Sequence, residues 1–184
     1  KRRVYYPDWS EDSRQKYTMD LMDVMAALLP EGVHGSISTV PITYGKGLPA
    51  GAMAGLERVA RHAQAICKRT GHQIRLALEP EPDCYLENTA EAVAFFRELY
   101  RQFPETRQWV GLCFDTCHLC LQGEDLCQSW RQLTAAGIPI HKVQVSAALR
   151  CDNRDGKQAR ELLTPYDEPI YLHQSRIWQG QQRV

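Results

Sequence analysis

Five short apolar runs, spaced by helical periodicities, narrow the possible folds of this chain more than any other feature. Gly35–Ile42, Ile74–Leu78, Val110–Phe114, Lys142–Ser146 and Glu168–Leu172 read as strands. Ser13–Leu29, Ala52–Thr70, Thr89–Phe103, Asp125–Ala136 and a short stretch near Gln158–Leu163 read as helices. In the first helix Tyr17, Leu21, Val24, Met25 and Leu28 recur every three or four residues, until Pro30-Glu31-Gly32 stops it. Gly71 ends the second as a left-handed cap, and Asn88 with Glu91 starts the third. Strands this short and apolar are buried on both faces, so the alternation predicts a parallel sheet covered by helices.

The strand ends fall near Pro41, Glu79, Asp115, Gln144 and His173, roughly 29 to 38 residues apart. That spacing fits a (β/α)8 barrel, in which each unit takes about 30 residues. A doubly wound open sheet is the alternative, but neither GxGxxG nor GxxxxGK[ST] is present. Five strands cannot close a barrel of eight. We therefore expect residues 1–184 to be a single α/β domain, the C-terminal part of a TIM barrel with about five parallel strands and its N-terminal strands missing. The opening Lys1-Arg2-Arg3, without Met, agrees with a piece of a longer protein.

Composition excludes several classes. The net charge is +0, which gives no electrostatic footprint for nucleic acid or an anionic membrane. No apolar run approaches the roughly 20 residues that span a bilayer. The seven cysteines are odd in number and scattered through the helix and strand patterns, which points to reduced thiols in a cytoplasmic protein. Cys113, Cys117 and Cys120 match no usual zinc spacing.

Barrel chemistry sits at the C-terminal ends of the strands. Here those ends carry Glu79 and Glu81, Asp115 and His118, Gln144 and Ser146, then His173 and Gln174. Carboxylates and imidazoles that converge there suit Mn²⁺, Mg²⁺, Co²⁺ or Zn²⁺. Trp9, in Tyr5-Tyr6-Pro7-Asp8-Trp9, is expected to wall the substrate, and Cys117 to line the pocket. His34 and His141 precede their strands and read as structural; His62 and His72 read as surface residues.

The run Gly111-Leu-Cys-Phe-Asp115-Thr-Cys-His118 resembles the Asp-Thr-x-His strand end of the xylose-isomerase-like TIM-barrel superfamily of sugar isomerases, epimerases and endonuclease IV-type enzymes. Leu76-Ala-Leu-Glu79-Pro-Glu81-Pro resembles the acidic strand end that precedes it. Together with Ser36–Pro41 and Tyr171-Leu-His-Gln174, these runs look like the bacterial EboE-type metabolite traffic proteins.

The resemblance implies Glu79 as a metal ligand and proton-transfer base, Asp115 as a metal ligand, and His118 as a catalytic or metal-ligating histidine. Gln144, His173, Glu81 and Trp9 are then expected to contact substrate. Gln144 stands where the superfamily usually has His, Ala147 where it has Asp, and His173-Gln174 where it has Glu. The expected partner is a small sugar-like or polyol metabolite. Three functions follow: a metal-assisted isomerase or epimerase, a non-catalytic metabolite-binding traffic protein, and an abasic-site endonuclease. The neutral charge weighs against the last, because DNA affinity rests on Lys and Arg contacts to phosphate.

Overall fold

A computed structural model of the chain describes residues 2–152, 155–170, 174–179 and 182–183. Helix α1 (Asp12–Leu28) leads to strand β1 (Gly35–Thr39), and α2 (Ala52–Thr70) to β2 (Ile74–Leu78). Helix α3 (Thr89–Gln102) precedes β3 (Val110–Asp115). Two helices, α4 (Thr116–Leu121) and α5 (Leu126–Ala135), separate β3 from β4 (Ile140–Gln144). Helix α6 (Gly156–Leu163) follows, and a short antiparallel pair, β5 (Trp178–Gln179) and β6 (Gln182–Arg183), ends the chain.

The four long strands are parallel and lie in the order β1-β2-β3-β4. Sequential order without a switch point departs from a doubly wound sheet. The sheet is also curled. Lys142 Nζ on β4 donates to Ser38 Oγ on β1 at 3.1 Å, across two intervening strands. A flat sheet would set those strands about 14 Å apart at the usual inter-strand spacing. The architecture is thus a four-stranded half-barrel, part of a TIM barrel.

Sequence explains the elements locally. Asn88 Oδ1 accepts the Glu91 amide and starts α3. Gly71, at φ +80°, closes α2 and donates to Cys67 O. Leu76, Leu78, Leu112 and Phe114 share one core with Leu56, Val59, Ile66, Phe96 and Leu99 of the helices. Each such side chain contributes about 1.5–3 kcal/mol on burial.

Four strands of the expected five appear among the described residues. Glu168–Ile170 is not a strand: the Glu168 carboxylate accepts the Ile170 amide and turns the chain locally. The remainder of that expected strand, and His173 at its end, lie outside the described residues. Strand β4 runs two residues earlier than its apolar pattern suggests, with a register shift opposite Leu112/Cys113.

Gly111 makes that close approach possible. A Cβ there would lie 2.3 Å from Pro139 O and 2.7 Å from His141 Cδ2. His141 lies within β4 rather than before it, and burial, then the nearby Arg75 cation, push its imidazole down to about 4. Because the first obstacle is backbone, Gly111→Ala should cost about 3 kcal/mol in urea unfolding. Gly47→Ala meets nothing within 4 Å and should stay within about 0.5 kcal/mol.

The C-terminal segment straps the loops above the strands. Gln174 Nε2 donates to Pro82 O at 2.6 Å, and Trp178 Nε1 to Leu121 O at 3.3 Å. The buried Arg176 guanidinium donates to Asp83 Oδ1 at 2.7 Å and Glu87 Oε1 at 2.8 Å. Burial works to raise the Glu87 carboxyl, but the Asp83 amide, Lys46 and Arg176 outweigh it and hold it down at about 2. A carboxyl depressed in the folded state stabilises above its unfolded value and loses that contribution as pH falls toward its folded one. Stability should therefore fall between about pH 4.5 and about pH 2, and Glu87→Gln should flatten that slope in denaturation series across the window.

Candidate metal centre

Three strands and one helix end bring the site together. Glu79 follows the last residue of β2, where its amide donates to Thr39 O and Pro80 prevents further pairing. Asp115 ends β3 and pairs in register with Gln144, which ends β4. His118 sits in the first turn of α4, a helix that the apolar pattern does not announce. Asp115 starts that helix: its Oδ1 accepts the His118 amide at 3.1 Å.

Glu79, Asp115 and His118 each offer a ligand atom, and these atoms lie within 4.8 Å of one another. Asp115 is buried, Glu79 and His118 half-buried. His118 Nδ1 faces Glu79 Oε1 at 3.4 Å, yet among the described residues it is buried with no hydrogen-bond partner. A polar atom left so costs about 1–3 kcal/mol. An orphaned imidazole nitrogen beside two carboxylates fits a divalent cation, and two oxygens with one nitrogen suit Mn²⁺, Co²⁺ or Zn²⁺.

Gln144 Nε2 donates to Glu79 Oε1 and Asp115 Oδ2, both at 2.8 Å. Ser146 Oγ donates to Asp115 Oδ1 at 2.7 Å and accepts the Cys117 amide at 3.2 Å.

These surroundings drive the two carboxyls apart. Burial raises Glu79 above the usual carboxylate range; repulsion from Asp115 and Glu81 adds to this, while His118 and Gln144 oppose it. Burial also works to raise Asp115. There, hydrogen bonds from Ser146, the His118 amide and Gln144 win, and the carboxyl lies below its ordinary value. Two residues before Asp115 on β3, burial and then the Glu79 charge push the Cys113 thiol up to about 12.

Glu79 and Glu81 line a cleft of about 320 Å³ together with Arg14, Tyr17, Ser38 and Val40. Glu81 is held in place by a side-chain hydrogen bond. It accepts the hydroxyl of buried Tyr5 at 2.6 Å, and burial followed by this bond raises the phenol far above its ordinary value.

Trp9 does not wall the site. It is 0 % exposed and belongs to the core with Met22, Ile42 and Leu56. Its amide donates to Ile42 O, in the turn that leads into α1. Cys117 is half-buried, and its backbone rather than its thiol serves the site, through Ser146. His62 is half-buried against Asp23 at 2.9 Å, and His72 Nδ1 lies 3.0 Å from Val33 O.

The sequence placed Ser146 at its strand end but not its bond to Asp115, and it singled out neither Tyr5 nor Cys113 as supports. The period-two pattern Lys142, Gln144, Ser146 and Gly111, Cys113, Asp115 carried the signal for two of them. Nothing local linked Tyr5 to Glu81, 76 residues away.

A family model described as xylose isomerase-like TIM barrel matches residues 7–164, and the chain belongs to that family. Similar solved structures include L-ribulose 3-epimerase, at 14% identity and a TM-score of 0.51, with 90% of this chain and 65% of that chain covered. A 3-keto-D-glucoside 4-epimerase, YcjR, from E. coli is 15% identical, with a TM-score of 0.43 and coverage of 83% and 69%. The IOLI protein with a zinc atom bound is 18% identical, with a TM-score of 0.43 and coverage of 70% and 44%. No curated protein sequence matches significantly. No helix among the described residues is long and apolar enough to cross a membrane.

Ser146→Ala removes the first of the bonds that lower Asp115. Its carboxyl should then titrate closer to the ordinary carboxylate range, followed by carboxyl ¹³C NMR, with the fold kept.

Proposed function

We propose that residues 1–184 are the site-bearing part of one barrel domain, a metal-dependent isomerase or epimerase of a sugar-like or polyol metabolite. The observation that carries this reading is the split pair of carboxyls beside an orphaned imidazole nitrogen. Two like groups held at different proton affinities leave Asp115 as a ligand alone and Glu79 as a ligand that can also take a proton.

Glu79, Asp115 and His118 would hold a divalent cation, Mn²⁺, Mg²⁺, Co²⁺ or Zn²⁺. When bound, it supplies positive charge beside the substrate carbonyl. Glu79, raised by burial, takes the proton from the carbon next to that carbonyl and returns it on the same side to the neighbouring carbon; inversion at a single carbon would need a second proton donor on the opposite side of the substrate. Asp115 stays ionised, its Oδ1 accepting the His118 amide and the Ser146 hydroxyl. His118 orients a substrate hydroxyl, Glu81 is fixed by Tyr5 at the cleft, and Gln144 and His173 complete the substrate contacts.

Glu79→Gln should lower turnover of a responsive ketose by about 10²–10⁴ with the fold kept, as read by circular dichroism. Asp115→Ala should lower the bound metal measured by elemental analysis. A protein that binds no metal, and whose cellular role survives Glu79→Gln, overturns the reading.

One observation favours a second function, an EboE-type metabolite-binding traffic protein without catalysis. The Gln144 amide already occupies one oxygen of each carboxylate. That function expects a metabolite to raise the melting temperature without conversion, and steady turnover rejects it.

A further inference from the structure

The geometry points to Gln144 as a built-in stand-in for a cation: its amide NH₂ holds Glu79 and Asp115 together in the metal-free protein and competes with a divalent ion for the same two oxygens. This rests on reading Glu79, Asp115 and His118 as a metal centre.

Gln144 Nε2 lies 2.8 Å from Glu79 Oε1 on one side and 2.8 Å from Asp115 Oδ2 on the other. An NH₂ group has two diverging hydrogens, one for each carboxylate. Ionised carboxylates only accept, so an amide carbonyl turned toward them would add a third negative end to the cluster. Charge therefore fixes which way the amide faces.

The oxygens it uses are those turned toward the centre. Asp115 Oδ1 is taken by the His118 amide and by Ser146 Oγ, which leaves Oδ2. Glu79 Oε1 is the oxygen that faces His118 Nδ1 at 3.4 Å. A cation drawn to these oxygens meets the positive amide hydrogens already there, so the ion and the NH₂ group compete for both. The backbone of Gln144 cannot move aside with it, because β4 is in register with β3 at Asp115 and Thr116 Oγ1 donates to Gln144 O at 3.3 Å. Only side-chain rotation frees the oxygens. The two carboxylates are thereby kept at ligand spacing without an ion, and ion binding is weakened by the bonds that must break.

The test compares Mn²⁺ binding by calorimetry, and the melting temperature of chelator-treated protein, for wild type, Gln144→Leu and Gln144→Glu. Gln144→Leu removes both donors. It should lower the metal-free melting temperature and tighten Mn²⁺ binding about tenfold, as expected for losing a competing charge-assisted bond. Gln144→Glu adds an acceptor where the donor stood; it should lower the metal-free melting temperature further and tighten Mn²⁺ binding more. Should Gln144→Leu fail to fold, Gln144→Met, which removes both donors at similar length without adding a carboxylate, decides between the same outcomes.

Binding by wild type that weakens or stays the same in the variants overturns the competition and leaves the metal centre standing. A metal-free melting temperature indifferent to both substitutions overturns the clamp. No binding of Mn²⁺, Co²⁺ or Zn²⁺ by any of the three proteins overturns the metal centre and the competition together.

Discussion

The carboxylate of Asp115 ties the candidate centre together. One oxygen accepts the amide that starts α4 and the hydroxyl of Ser146 beyond β4; the other accepts Gln144, which reaches on to Glu79 at the end of β2. A single buried acid thus fixes a helix start, a strand pairing and the approach of a second acid. It stays ionised because the donors around it replace the water that burial removes.

Glu79 lacks that many donors, and this difference sets the two carboxyls apart. Both acids are taken from water, but only Asp115 recovers enough hydrogen bonds to fall below the usual range. The strand carrying Glu79 ends against Pro80, so no helix begins there to offer amides. On β3, by contrast, α4 follows Asp115 at once and presents its first-turn amide to it. Local backbone after each strand therefore decides which acid is a fixed anion and which can accept a proton.

The half-barrel below is more polar than the branched aliphatic layers common in such folds. Ser38 and Lys142 meet across the curl, and His141 sits neutral beside Gly111. Above, the strap of Gln174, Arg176 and Trp178 holds the β2–α3 loop and the end of α4 in place. Tyr5 joins the same frame from the other end of the chain, where it meets both Glu81 and Gln174. The carboxylates are held from beneath, beside and above.

By itself the sequence determined the alternation of helices and strands, the parallel sheet, and the strand-end placement of Glu79, Asp115 and Gln144. Those follow from local periodicity and from residues that stop strands, such as Pro80, and so can be read within a few turns of chain. The register shift at β4, the burial of Trp9, the bond from Tyr5 to Glu81 and the amide bridge of Gln144 were decided only by tertiary structure. Each depends on two segments far apart in sequence that share one small volume, where sterics at Gly111 or charge between two acids selects the arrangement. Trp9 shows the reason most plainly: an aromatic residue in a loop near a site reads alike whether it faces substrate or core, and only the packing of α1 and α2 over it turns it inward.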